Sequence, residues 1–308
     1  MLLRKSKDKN STYRILDGRK EGAFNFFRKE SLIHQALKYL TSSTLLLALN
    51  GSMVVIFGFF LYGIKIFPDL ILASFLVTFG VYSLNKATDK VEDSINQPEI
   101  PSRTMVWYVV PSIMSMLIGL SIGLLEGLIA FIILAGPIAI GLVYSIKISK
   151  SIPRLKEIIG IKSFTVALSW GVTGCFLPAF MSNHEMIFLV FIYIFIRVLV
   201  GTILCDVLDE KGDSFSGITT IPIRLGRNRT KNLLILVNSF AVVWLVYSAI
   251  RGIFLLFMPA LILGVVSGYF AIWWFFSGKC KRLTASLLLD SEWLPIIIAI
   301  ILLKNFFN

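Results

Sequence analysis

Two short stretches of this 308-residue chain place acidic and amide side chains at helical spacing. The first is Asn85-Lys-Ala-Thr-Asp89-Lys-Val-Glu-Asp93. On one continuous helix Asn85, Asp89 and Asp93 share a face, drifting about 40° per step at ~3.6 residues per turn. The second is Asp206-Val-Leu-Asp209-Glu-Lys-Gly-Asp213, with its aspartates at i, i+3 and i+7, again on one face. Carboxylates crowded in this way repel one another and are best tolerated around a divalent cation. Mg²⁺ is usually held by one or two carboxylates together with waters and substrate phosphates. Two facing clusters with Mg²⁺ between them would therefore receive a diphosphate. Taken singly, either cluster could equally be a set of acids that solvates a helix end. Other metal chemistry has little to work with, because His34 and His184 are the only histidines and Cys175, Cys205 and Cys280 are scattered without a CxxC spacing.

The elements that must carry these clusters are apolar. Hydrophobic residues make up 56% of the chain and charged ones 16%, with a mean hydropathy of +0.81. Soluble domains run near a quarter charged, so the excess apolar surface requires a bilayer. Runs long enough to cross it, about 20 residues each, predict nine spanning helices: 43–63, 69–86, 104–123, 127–146, 162–181, 186–205, 232–250, 254–276 and 285–304. The third and fourth are parted only by Leu124, Leu125 and Glu126, and the ninth contains Asp290 and Glu292.

Charge tests the count. With the N-terminus cytoplasmic and loops alternating, 26 of the 30 Lys and Arg fall on the cytoplasmic side. Only Lys65, Arg251 and Lys304 fall opposite, and Arg197 lies within a span. Such a split is the positive-inside pattern, so the net charge of +12 reports membrane orientation and not nucleic-acid binding. Residues 1–42 form a basic cytoplasmic segment, in which 20–42 alternate apolar and charged positions as an interfacial helix does. This segment is charged throughout and has no short apolar core of the signal-peptide kind. Residues 43–304 form a single transmembrane domain. Both acidic clusters then follow spans that end in the cytoplasm, the second and the sixth. The expected fold is an all-α polytopic bundle of two parallel four-helix halves plus one helix, with a cytoplasmic cap. A cluster recurring at equivalent places favours chemistry over solvation.

Asn85-x3-Asp89-x3-Asp93 followed by Asn96-Gln-Pro98 resembles the first signature of the UbiA family of intramembrane prenyltransferases. Asp206-x2-Asp209-x3-Asp213 followed by Gly217-Ile-Thr-Thr-Ile-Pro222-Ile-Arg-Leu-Gly226 resembles the second. The resemblance implies a helical barrel open laterally to lipid. It implies that Asp89, Asp93, Asp209 and Asp213 coordinate Mg²⁺ and a prenyl diphosphate, with Asn85 and Asp206 in support. The implied reaction ionises an allylic diphosphate and lets a hydrophobic acceptor, aromatic or lipid, trap the carbocation. The family often has a Tyr-x3-Lys after its fourth helix. Here Tyr144 precedes Lys147 and Lys150 at other spacings, in a basic loop that also holds Arg154, Lys156 and Lys162. Tyr144, Lys147, Lys150 and Lys162 are the candidate diphosphate partners. Many members continue the first motif as Asn-Arg-Pro-x-Arg-Pro. This chain has Asn96-Gln-Pro-Glu-Ile-Pro101 and loses both arginines, leaving Arg103 as the nearest replacement.

A transporter with acidic cation sites is the competing class, but transporter sites usually lie near the midplane, whereas these clusters are placed in a cytoplasmic cap. A prenyl diphosphate cyclase on the same fold would use the same motifs. Arg197, Asp290 and Glu292 are ionisable groups within or near spans, which makes each a functional candidate. Arg197 lies about two helical turns before Asp206 and is a candidate counter-ion for it.

Overall fold

The computed structural model describes residues 44–98, 106–145, 155–181 and 186–307. The expected N-terminal segment, Arg103, Lys147 and Lys150 lie outside the described residues. In chain order the helices are α1 (Leu45–Tyr62), α2 (Pro68–Thr88), α3 (Lys90–Asn96), α4 (Val106–Glu126), α5 (Leu128–Ser145) and α6 (Ile161–Ala179). They continue as α7 (Ile187–Phe215), α8 (Ile221–Leu225), α9 (Arg227–Ile250), α10 (Met258–Phe276), α11 (Arg282–Asp290) and α12 (Leu294–Phe307). Among the described residues the regular elements are all helical. A short helix follows each cluster-bearing helix, α3 after α2 and α8 after α7.

Seven of these helices are long and apolar enough to cross a bilayer: α1, α2, α4, α5, α7, α9 and α10 with the turn preceding it. The pair α11 and α12, bent by 40°, is an eighth if it counts as one span. Nine were expected. The remaining segment is α6, a helix of sufficient length whose composition is more polar. The reason is positional, since Ser163, Thr165, Ser169 and Thr173 of α6 line internal cavities. On the outside the pattern reverses. Leu117, Leu124, Ile129 and Ile132 of α4 and α5, Val243 and Val246 of α9, and Trp273 of α10 are all exposed. Contiguous apolar surface of this kind suits contact with lipid.

Two breaks explain where the sequence was hardest to parse. Residues Leu124, Leu125 and Glu126 continue α4, and the chain reverses on Gly127 alone. Its φ of 143° is a backbone conformation that side chains rarely adopt. The ninth expected span is interrupted at Ser291–Trp293. Its freed backbone groups are satisfied from α1: Asn50 Nδ2 donates to the Leu289 carbonyl at 3.2 Å, and the Trp293 amide donates to Asn50 Oδ1 at 3.1 Å. A broken helix at membrane depth is tolerated when other protein groups re-satisfy it in this way. Fully buried Trp293 then packs on Phe57 of α1 (ring centroids 5.0 Å), which stacks on Tyr193 of α7 at 5.5 Å. This aromatic core fixes the broken span against the helix that carries the second acidic cluster.

Candidate active site

The first cluster straddles a helix break. Asp89 has φ −98° and ψ 25° and separates α2 from α3, so the single helix assumed from spacing is corrected to two. The hydrogen-bond ladder nevertheless runs across the break. The Asp89 amide donates to the Asn85 carbonyl at 2.9 Å and the Asp93 amide to the Asp89 carbonyl at 2.8 Å. The i, i+4, i+8 stacking therefore survives. Ser145 Oγ donates to Asn85 Oδ1 at 3.2 Å. Lys156, 1% exposed, comes from the turn Leu155–Glu157 to pair with Asp89 Oδ1 and, at 3.2 Å, with Glu92.

The second cluster lies on one unbroken helix. α7 runs for 29 residues, well past the predicted end at 205, and carries Asp206, Asp209 and Asp213 on its extension. Asp206 is buried. Its Oδ1 pairs with Lys162 at 2.9 Å and its Oδ2 accepts from Ser163 Oγ at 2.5 Å. Lys162 also reaches Asp213 at 2.6 Å. Arg282, at the start of α11, pairs with Asp209 Oδ1 and donates from Nη1 to the Leu208 carbonyl at 2.7 Å. The expected counter-ion role of Arg197 is corrected: it pairs with Glu292 at 3.2 Å and Asn238 at 3.3 Å. Nine residues of helix put it about 13 Å along the axis from Asp206, beyond the reach of a contact pair.

The two clusters are joined directly. The Gly212 amide of α7 donates to Asn96 Oδ1 of α3 at 2.9 Å. A Cβ at Gly212 would collide with Asn96 and with the Glu92 carbonyl, so only glycine lets the two segments approach this closely. Between them lies a cavity of about 240 Å³. Asn85, Asp89, Asp93, Tyr144, Lys162, Asp206, Asp209 and Asp213, all of the candidate residues that fall within the described segments, line it. Burial, opposed by Lys86 and reinforced by Asp89, Asp209 and Glu92, pushes the Asp93 carboxyl up to about 6. Local negative charge is thus in excess. A second, apolar chamber of about 90 Å³ adjoins it, walled by residues such as Val54, Val77, Val81, Pro137 and Ile140. Tyr82, Asn85, Tyr144, Val166 and Trp170 border both chambers. Trp170 Nε1 donates to the Tyr82 hydroxyl at 3.0 Å, holding two aromatic rings at the junction.

Among the described residues no three acidic, His or Cys side chains stand close enough to cage a metal by themselves. The donor set still fits Mg²⁺. Hard carboxylate oxygens face one cavity from two sides, and Mg²⁺ takes one or two of them with phosphate and water completing its shell. Sequence reasoning overlooked Arg282, which looked like an orientation anchor, along with Ser163 and the role of Asn96. Lys156 stood in the basic loop, but the Tyr-Lys spacing drew attention to Lys147 and Lys150. No local pattern marks these partners, because each meets its contact from more than forty residues away.

A helical membrane bundle with two acidic clusters across one cavity defines the class, and comparison with known proteins agrees. The sequence profile of the UbiA prenyltransferase family matches residues 64–289, and the chain belongs to that family. It is a multi-pass integral membrane prenyltransferase. Several solved structures share the fold. A UbiA homologue from Archaeoglobus fulgidus bound to GPP and Mg²⁺ is 17% identical with a TM-score of 0.64, over 87% of this chain and 99% of that one. A structure of a UbiA homologue from the same organism with DMAPP and Mg²⁺ gives 17% and 0.62, over 86% and 98%. A digeranylgeranylglyceryl phosphate synthase gives 18% and 0.57, over 86% and 96%. Among curated proteins none matches significantly.

Proposed function

We propose that the chain transfers a prenyl group from an allylic prenyl diphosphate to a hydrophobic acceptor, aromatic or lipid, within the membrane and releases diphosphate at its cytoplasmic face. One observation carries this reading: the polar cavity lined by both acidic clusters shares Tyr82, Asn85, Tyr144, Val166 and Trp170 with an adjoining apolar chamber. Asp89, Asp93, Asp209 and Asp213 would hold Mg²⁺, with Asn85 and Asp206 supporting them. When bound there, the metal neutralises the leaving diphosphate. Lys162 and Tyr144 line the same cavity and are placed to bind phosphate oxygens. The apolar chamber takes the start of the prenyl chain and excludes water from its C1. Tyr82 and Trp170 border both chambers, and aromatic ring faces there would stabilise an allylic cation. The relatives bound to GPP or DMAPP with Mg²⁺ support the donor class.

The test incubates purified protein with labelled geranylgeranyl diphosphate and a panel of acceptors, and follows diphosphate release and labelled product with and without chelator. Release and transfer that require Mg²⁺ are expected. Donor binding and turnover untouched by removing every divalent metal would overturn the assignment of the aspartates.

A further inference from the structure

The cations beside the acidic clusters sit in an unusual arrangement. The middle residue of each one-faced set, Asp89 between Asn85 and Asp93 and Asp209 between Asp206 and Asp213, is capped at Oδ1 by one basic side chain, Lys156 and Arg282 respectively. Neither cation lines the cavity, whereas Lys162 does. The cavity wall itself therefore carries Asp89, Glu92, Asp93, Asp206, Asp209, Asp213, Asp290 and Glu292 against one lining lysine. A diphosphate entering by itself meets like charge. A divalent ion entering by itself must compete with Lys156 and Arg282 for Asp89 and Asp209. Arg282 has capacity to spare: its Nε is buried and has no partner among the described residues, and its hold outside Asp209 is the Leu208 carbonyl.

We propose that Arg282 is an exchange cation: it neutralises Asp209 in the metal-free chain and passes to the diphosphate when Asp209 takes up metal, so that metal and diphosphate bind cooperatively. The inference rests on the functional reading above and deepens it. Arg282 lies outside both acidic motifs, beyond α8, α9 and α10 in the chain, at the start of α11. A planar guanidinium suits the exchange, since the same fork that pairs with a carboxylate pairs with a phosphate. Coupling of this kind is reciprocal: whatever diphosphate gains from bound metal, metal gains from bound diphosphate.

The test is calorimetry on the purified full chain, titrating Mg²⁺ alone and then inorganic diphosphate at saturating Mg²⁺. In Arg282→Gln, Mg²⁺ alone should bind tighter, by up to about fivefold for loss of a part-exposed competing pair. Diphosphate should bind weaker, by about tenfold or more for loss of a charge-assisted contact. Arg282→Lys keeps the charge and should lie between wild type and Arg282→Gln on both measures. Should Arg282→Gln fail to fold, Asp209→Asn supplies the converse: with Arg282 released, metal-free diphosphate binding should strengthen, and the gain should be smaller in Asp209→Asn/Arg282→Lys, where the guanidinium fork is lost. Both affinities falling together, or neither moving, would overturn the exchange role and leave the prenyltransferase reading intact. A wild type that binds no diphosphate even with Mg²⁺ would overturn both.

Discussion

Arg197 shows how a charge is kept inside the bundle. It is 2% exposed, with Glu292 as its anion and Asn238 as a second acceptor, and Asn238 is itself fixed by donating to the Val265 carbonyl at 3.1 Å. Removing one partner of a buried pair costs about 3–5 kcal/mol, largely because the other charge is stranded. Glu292→Gln is therefore expected to lower thermal stability in detergent by that order, and Arg197→Met with Glu292→Leu to recover much of it. A melt in which Glu292→Gln matches wild type would show that Arg197 has another anion. A charged residue in an apolar run announces in the sequence that a partner exists. Which partner it is depends on the break in the last span, 95 positions away, and no local signal encodes that. The same holds for Lys156 on Asp89 and Arg282 on Asp209. The one-faced spacing of the aspartates was legible because it needs only helix geometry.

At the level of elements, the site depends on α3 lying against α7. Gly212 is the contact point, and overpacking a tight contact costs about 1–3 kcal/mol. Gly212→Ala is expected to lower stability by that amount and to reduce prenyl transfer more than stability alone explains, because it pushes the two acidic clusters apart. Asn96→Ala should cost only about 1 kcal/mol, the worth of one hydrogen bond. The double variant should lose less than the sum, since the alanine at 96 removes two of the three nearest atoms in the way. Strict additivity would mean that the two residues do not meet. The spans themselves were readable from apolar runs, and their breaks were not. The interruption at Asp89 retains helical hydrogen bonds and carries no proline or glycine, and the one at Ser291–Trp293, supported by Asn50, is marked only by Pro295 at the start of α12. The polarity of α6 likewise follows from the cavities it lines, which exist only once the bundle has closed.

For the whole molecule, the proposed orientation rests on the 26 basic residues that the sequence pattern assigns to one side. With Cys175, Cys205 and Cys280 replaced, single cysteines introduced at 87–98 or 208–220 should resist an impermeant thiol reagent in intact cells, while one near Lys65 should react. Labelling of both acidic segments from outside would invert the topology. The central claim is that two acidic clusters of a membrane bundle serve one prenyl-transfer site, and charge-removing, shape-preserving variants test it most directly. Asp89→Asn and Asp209→Asn should each express normally in membranes and lose at least about a hundredfold in prenyl transfer at ~1.4 kcal/mol per tenfold. Glu126→Gln, at the end of α4 beside the Gly127 turn, should transfer as wild type does. Transfer at the wild-type rate by both aspartate variants, alongside ion or solute flux driven by wild-type protein in liposomes, would contradict the account.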